Sequence, residues 1–257
     1  MRWNCAATRS RAVAITVSIT ALAVLCPGSG FADVVEITRN AGLICPQKSD
    51  SIHLVSEQVN IIMPHDDAPG RAICAYRLKN LSLRIVMIDL ALVTGGAPAH
   101  GPHPKLEVEH QAASYRMEAL DKTRWAAILS DPPDSLPVVR LTIPGEGVLM
   151  VNTVYGVDWS SGNPEGETPT RDFTYHTGPS AFWEGKVDEA EISLAFDEMT
   201  ASLLRCFPTT PDKCVSTEIT PGGFEWFSRG IVWRMEPWDP AGGSYRIRVG
   251  WEEEGED

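Results

Sequence analysis

The sequence predicts an all-β, mainly antiparallel protein with one or two short helices. Apolar side chains alternate with polar ones in several segments, which is the pattern of strands that bury one face. Glycine and proline separate these segments at short intervals, for example at Gly95-Gly96 and Pro221-Gly222. Helical periodicity is weak by comparison. Many short strands separated by turns indicate stacked antiparallel sheets.

The first segment with a clear strand pattern contains Cys74. Ala72, Cys74, Tyr76 and Leu78 share one face, and basic residues lie on the other. The segment Val148 to Tyr155 is apolar on both faces, so it predicts a central strand. The alternation recurs in three further segments: Val86 to Leu92, Ala190 to Phe196 and Tyr245 to Trp251.

One segment has a helical pattern. Within Asp121 to Ser130, Trp125 and Leu129 are four residues apart and would share one helix face. A Pro-rich stretch follows at residues 131–137, and a turn follows at Pro144-Gly145. After a leader of residues 1–32, we therefore expect two β-sandwich-like domains, at residues 33–140 and 141–257.

The charge balance excludes some functional classes. The chain has 22 Lys+Arg and 34 Asp+Glu, a net charge of −12. A nucleic-acid partner is not expected, because affinity for phosphate is built from clustered basic residues. The 43 % hydrophobic content predicts a globular chain rather than a disordered one.

The N-terminus has the three parts of a secretory signal. Arg2, Arg9 and Arg11 precede the apolar run from Ala12 to Leu25, and Gly30-Phe31-Ala32 offers a cleavage point before Asp33. The 14-residue apolar run is short for a membrane span. We expect a periplasmic or secreted protein without a transmembrane anchor after cleavage; an uncleaved N-terminal anchor is the alternative.

Four cysteines follow the leader: Cys45, Cys74, Cys206 and Cys214. An even number of cysteines in an exported chain predicts disulfides, and four cysteines allow three pairings. We favour Cys45–Cys74 and Cys206–Cys214, because both close local loops. Four buried, reduced thiols are the alternative.

We expect no metal site and no cofactor. The nearest candidates are His100, His103 and His110, because imidazoles at this density can bind a transition metal. The Pro-flanked loop that contains them gives no fixed face to hold two rings together, so solvated histidines are the favoured interpretation.

Tryptophan offers a candidate ligand-binding residue. Four tryptophans cluster near the C-terminus, and exposed indoles on a sandwich stack on sugar rings. The alternation places Trp233 in the core, whereas Trp238 lies in a Pro-flanked loop and is the candidate for exposure.

Nucleophile and nucleotide-binding motifs are absent, but a carboxylate pair that meets only in space stays open as a catalytic alternative. Asn80-Leu81-Ser82 has the form of a glycosylation triplet.

Several short motifs occur in order along the chain: Ser56 to Ile61, Ala75 to Ser82, Tyr175 to Ser180, Trp183 to Gly185 and Trp233 to Pro237. In this order they resemble a bacterial exported family known mainly as a domain of unknown function. The segment ending at Ser82 is similar to that family's Y-x-x-x-N-x-S step. The resemblance implies an exported, β-rich protein of one or two domains, and it supplies no catalytic residue.

These observations predict a non-catalytic exported β protein that acts by surface recognition or as a structural component of the envelope. The alternative is a carbohydrate-binding or carbohydrate-processing module. The expected partner is a protein or a glycan of the cell envelope.

Overall fold

The computed structural model describes the chain in twelve stretches. They are residues 30–40, 43–46, 51–63, 70–94, 105–125, 134–157, 160–162, 170–176, 183, 186–196, 216–239 and 244–250. The described residues form two β-sheets, which confirms the all-β class.

One sheet has seven described strands. All neighbouring strands in it are antiparallel except β12 and β3, which run parallel. In spatial order the strands are β14 (Glu225–Phe227), β15 (Gly230–Met235), β12 (Glu189–Phe196), β3 (Ile52–Met63), β4 (Gly70–Asn80), β9 (Val148–Val157) and β6 (Lys105–Val108).

The other sheet has nine described strands, and its only parallel pair is β1 with β11. Along the main path lie β13 (Ser216–Thr220), β16 (Ser244–Gly250), β11 (Thr170–His176), β1 (Gly30–Asn40), β5 (Val86–Thr94), β8 (Ser135–Ile143) and β7 (Tyr115–Ala119). Two short strands pair beside this path: β10 (Ser160–Gly162) on β11 and β2 (Leu43–Pro46) on β1.

The core lies between the two sheets. The predicted inward face of β4 is confirmed, because Ala72, Cys74, Tyr76 and Leu78 are all buried. They join one hydrophobic cluster with residues from both sheets, including Leu90 of β5. The predicted central strand is confirmed as β9, which pairs with β4 on one side and β6 on the other.

The two-domain division at residues 140 and 141 needs correction. It falls inside β8, whose nine residues pair with β5 and β7. Both sheets contain strands from both sides of the division, and β12 pairs with β3 over eight residues. The physical reason is that strands far apart in sequence complete each other's hydrogen-bonding edges and share one core.

The predicted cleavage point also lies inside a strand. Gly30 and Phe31 of β1 pair with Tyr175 and His176 of β11, whereas the pairing with β5 begins at Ala32. Removal of residues 1–32 would therefore remove the pairs that join β1 to β11 and leave most of the pairing with β5.

The described helix is short. The segment α1 (Lys122–Trp125) has four residues and ends in the fully buried Trp125. It lies within the stretch predicted as helical, of which residues 126–130 are outside the described part. None of the described helices has the length and apolar character of a membrane span.

Candidate functional site

The end of β4 is anchored by the side chain of Asn80. This side chain is fully buried. Its amide nitrogen lies 2.7 Å from the carbonyl oxygen of Arg84, 3.1 Å from that of Ile143 and 2.9 Å from that of Pro144. Ile143 ends β8 of the opposite sheet, so this one side chain connects the two layers where β4 passes into β5.

Ser82 completes this anchor. The amide oxygen of Asn80 accepts hydrogen bonds from the backbone N–H and the hydroxyl of Ser82, at 2.9 and 2.8 Å. Every donor and acceptor of the Asn80 amide is therefore used inside the protein. The triplet Asn80-Leu81-Ser82 thus has a structural role in the folded chain, where the amide nitrogen that glycosylation would modify is buried and bonded.

The turn between β8 and β9 supports the same region. Glu146 adopts a positive φ of 55°, and its N–H donates to the carbonyl oxygen of Ser82. A Cβ atom at Gly145 would collide with the carbonyl oxygen of Leu83, so only glycine allows this close approach. We call residues 80–87, which connect the two sheets, the arch; its backbone is fixed from both sides.

The arch exposes an unusual row of apolar side chains. Leu81, Leu83, Ile85 and Met87 are 57, 82, 71 and 70 % exposed. Monomeric proteins rarely expose contiguous large apolar patches without a functional reason. A rigid backbone that carries four such side chains is suited to binding, because little conformational entropy is lost when a partner docks.

Two cationic side chains continue this row backwards along β4. Arg77 and Lys79 are exposed on the outer face of β4, just before the arch. We call the six residues Arg77, Lys79, Leu81, Leu83, Ile85 and Met87 the outward row. Within the described residues, no carboxylate forms an ion pair with Arg77, Lys79 or the arch residue Arg84.

A different polar feature lies inside the core. In β3 the register with β4 shifts between Leu54 and Ser56, so Val55 is an extra residue. Such a bulge changes which residues face inward. Glu57 is consequently fully buried, and its carboxylate accepts a 2.6 Å hydrogen bond from the hydroxyl of Tyr175 in the opposite sheet.

Cys74 lies close to this buried carboxylate. It is a free thiol, fully buried, with Sγ 3.6 Å from the hydroxyl oxygen of Tyr155. The pKa of Cys74 is raised to about 12. Burial is the main cause and the charge of Glu57 adds to it, whereas hydrogen bonds with Tyr155, Tyr76 and Thr153 act in the opposite direction.

This environment corrects the predicted disulfide Cys45–Cys74. Cys74 faces the core from the seven-stranded sheet and contacts Tyr155, whereas Cys45 lies in β2 of the other sheet. At Cys74 the structure has a reduced, buried thiol, which was the alternative. Cys206 and Cys214 lie outside the described residues.

The histidine candidates do not come together in the described part. His110 is exposed in a turn with a positive φ of 60°, and its Nε2 lies 3.0 Å from a carboxylate oxygen of Glu109. His100 and His103 lie outside the described residues. Among the residues described, no group of three potential metal ligands is found.

The tryptophan prediction was wrong for Trp238 and is confirmed for Trp233. Trp238 is only 5 % exposed, because its backbone pairs with Val187 and its ring joins the core. Trp233 is also buried. Among the described tryptophans, only Trp226 is exposed, at 43 %, and its ring packs edge-on against Phe224 with a centroid distance of 6.0 Å.

The outward row was not found from the sequence, although a signal existed. Even-numbered residues face the core in both flanking strands, as Leu78 and Ile88 show. Leu81, Leu83, Ile85 and Met87 have the opposite parity, so apolar residues stand where polar ones are expected. Apolar residues at odd-numbered positions, between strands that bury their even-numbered residues, are the sequence signal that distinguishes an exposed apolar row from a core strand.

Comparison with known proteins shows the fold and little more. No protein-family model matches this chain, and no curated protein matches it. Among solved structures, a Legionella pneumophila protein described as a "putative nutrient binding protein" is similar with a TM-score of 0.57 and 13 % identity, over 87 % of this chain and 71 % of that chain.

Weaker overlaps occur with peptidase-like proteins. Yeast LTA4 hydrolase has a TM-score of 0.46 at 9 % identity, over 78 % of this chain and 29 % of its own. A two-domain M1 zinc metallopeptidase has a TM-score of 0.34 at 6 % identity, over 81 % of this chain and 45 % of its own. This chain therefore spans less than half the length of either of these two chains.

Proposed function

We propose that this protein is exported and acts, without catalysis of its own, as a recognition protein whose arch binds a protein partner in the cell envelope. The observation that carries the proposal is the set of four exposed apolar side chains from Leu81 to Met87 on a backbone fixed by Asn80. Interfaces of specific complexes have desolvated apolar centres with polar rims. The outward row has this composition, since its cationic end borders its apolar end.

Site-specific cross-linking tests the recognition surface. A photoreactive amino acid is placed at position 85 or 87 in cells that produce the protein. The matched controls are positions 62 and 117, because Ile62 and Met117 are also exposed apolar residues but lie outside the arch. We expect a discrete adduct with one protein from positions 85 and 87 only. Equal adducts from all four positions, or none, would contradict the proposal.

Cell fractionation and N-terminal sequencing test the export. The mature protein is expected outside the cytosol with Asp33 as its first residue, because the basic, apolar and small-residue parts of the leader precede that position. Full-length protein recovered from the cytosol would contradict this part of the proposal and leave the arch to be tested separately.

The second candidate function is carbohydrate binding, and Trp226 is the observation that favours it. Its exposed indole lies beside Phe224 at the edge strand β14, a geometry that allows stacking on a sugar ring. Titration with envelope glycans and small sugars, followed by tryptophan fluorescence, tests this function. The description of the Legionella neighbour as a nutrient binder is a reason to include the small sugars. A saturable change that Trp226→Ala abolishes would support it.

A further inference from the structure

We infer that the partner of the outward row is a bipartite peptide segment with an acidic part, which contacts Arg77, Lys79 and Arg84, and an apolar part, which contacts Leu81 to Met87. This inference rests on the proposed function and specifies its partner. The carrying observation is the order of exposed side chains along the chain. Two cations lie at the end of β4, Leu81, Leu83, Arg84 and Ile85 follow in the connection, and Met87 lies at the start of β5.

The cations at this surface differ from three other arginines of the protein, which are paired with carboxylates. Arg140 and Arg116 both contact Asp89, and Arg234 contacts Glu191 and Glu225. These arginines are neutralised within their own sheets. Arg77, Lys79 and Arg84 have no such carboxylate among the described residues, so their charges are available to a partner.

Of the two strands beside β4, β9 adds to the apolar part and brings no acid of its own, whereas on β3 the residue opposite Lys79 is His53, which is paired with Asp188. In the register of β4 with β9, Lys79 lies opposite Val148 and Arg77 lies opposite Met150. Directly opposed side chains on one face of a sheet have Cβ atoms about 5 Å apart. A segment that reaches Lys79 therefore also reaches Val148, which is itself exposed.

The charge of the whole chain makes this local surface distinctive. The net charge is −12, so a generally acidic partner is repelled by most of the protein and attracted only where cations are unpaired. The same repulsion disfavours an anionic membrane as the partner. The arch also has none of the aromatic residues that are enriched at membrane interfaces.

Selection from a library of random twelve-residue peptides displayed on phage, with the exported full chain as the target, tests the inference. We expect selected peptides that combine Asp or Glu with a following or preceding apolar stretch. Lys79→Glu and Ile85→Asp should each weaken their binding at least tenfold. The matched controls are Arg71→Glu, on the same face of β4, and Ile62→Asp, on β3; both should stay within twofold of the wild type.

The possible outcomes separate this inference from the proposed function. Selected peptides that are neutral or basic, and whose binding responds to Ile85→Asp but not to Lys79→Glu, would overturn the acidic partner and leave protein recognition standing. Cosedimentation with phosphatidylglycerol vesicles that depends on Lys79 and Ile85 would overturn it in favour of a membrane. Self-association that Ile85→Asp abolishes would overturn it in favour of a second copy. Absence of any row-dependent binding, together with absence of cross-links from positions 85 and 87, would overturn both.

Discussion

Two regions of this protein reverse the usual placement of side chains, one inside the sandwich and one outside it. Inside, the carboxylate of Glu57 lies in the core and bonds to Tyr175 of the opposite sheet. Outside, Leu83 and its apolar neighbours face the surface. An extra residue at Val55 changes which side chains of β3 face inward and brings Glu57 into the core. Leu81, Leu83 and Ile85 instead follow the end of β4, in the connection that leads to β5, and are exposed there.

The difference between these regions concerns stability. A buried polar group is tolerated only when its hydrogen bonds are made, so loss of a partner there destabilises the fold. An exposed apolar side chain makes few contacts, so its replacement changes the free energy of unfolding little. Changes inside should therefore appear in unfolding experiments, and changes outside should appear only in binding.

The largest loss of stability is expected for Asn80→Ala. The substitution removes the donor that Asn80 supplies to the carbonyl oxygens of Ile143 and Pro144, and it removes the acceptor of Ser82. The free energy of unfolding should fall by about 3–5 kcal/mol, as measured by urea denaturation. Ser82→Ala, which keeps the Asn80 amide, is the control and should cost about 1 kcal/mol. A loss below that of the control would contradict the anchoring role of Asn80.

The next effect is a dependence of stability on alkaline pH that Cys74 causes. Its native pKa of about 12 exceeds the ordinary value of 9.0, so the native state keeps the thiol proton that the unfolded chain releases. The contribution is fully present below pH 9 and is lost as the pH rises towards 12. From pH 9 to pH 10.5, the wild type should lose about 2 kcal/mol more than Cys74→Ala. Parallel pH profiles for the two proteins would contradict this prediction.

An effect of similar size is expected for Tyr175→Phe. The hydroxyl of Tyr175 donates to the buried carboxylate of Glu57, and its removal should cost about 1–3 kcal/mol. Glu57→Leu should lower the free energy of unfolding less in the Tyr175→Phe protein than in the wild type, because the two groups are coupled across the sheets. A double-mutant cycle in urea measures this coupling, and additive costs would show that the bond does not link the layers energetically.

The smallest effect is expected for Ile85→Asp. Since Ile85 is exposed on the arch, the free energy of unfolding of this variant should stay within about 0.5 kcal/mol of that of the wild type. Ile62→Asp provides the same substitution at another exposed site. A strong destabilisation by Ile85→Asp alone would mean that the arch residues pack against the fold, and it would weaken the comparison between the two regions.

Much of the local structure could be predicted from the sequence. The alternation correctly predicted the buried faces of β4 and β12 and the core position of Trp233. It could not predict that β12 pairs with β3, because parity describes only one strand and not its neighbour. The expectation of two domains failed for this reason, since each half supplies strands to both sheets.

The candidate site was missed for a related reason. The sequence offered Trp238 and the triplet Asn80-Leu81-Ser82 as surface features, yet the described fold buries Trp238 and uses Asn80 as an internal anchor. Loop sequences do not reveal which backbone groups will meet. Asn80 finds its partners Ile143 and Pro144 more than sixty residues away along the chain.

The sequence by itself determined the β class and the inward faces of several strands, because alternation with a period of two is a local property of the backbone. The tertiary structure decided which strands are neighbours, which cysteine is a buried thiol, and that the apolar residues of the arch face outward. These outcomes depend on contacts between distant segments. Hydrogen bonds from Asn80 to the opposite sheet hold the arch, and the shift of register between β3 and β4 at Val55 turns Glu57 inward.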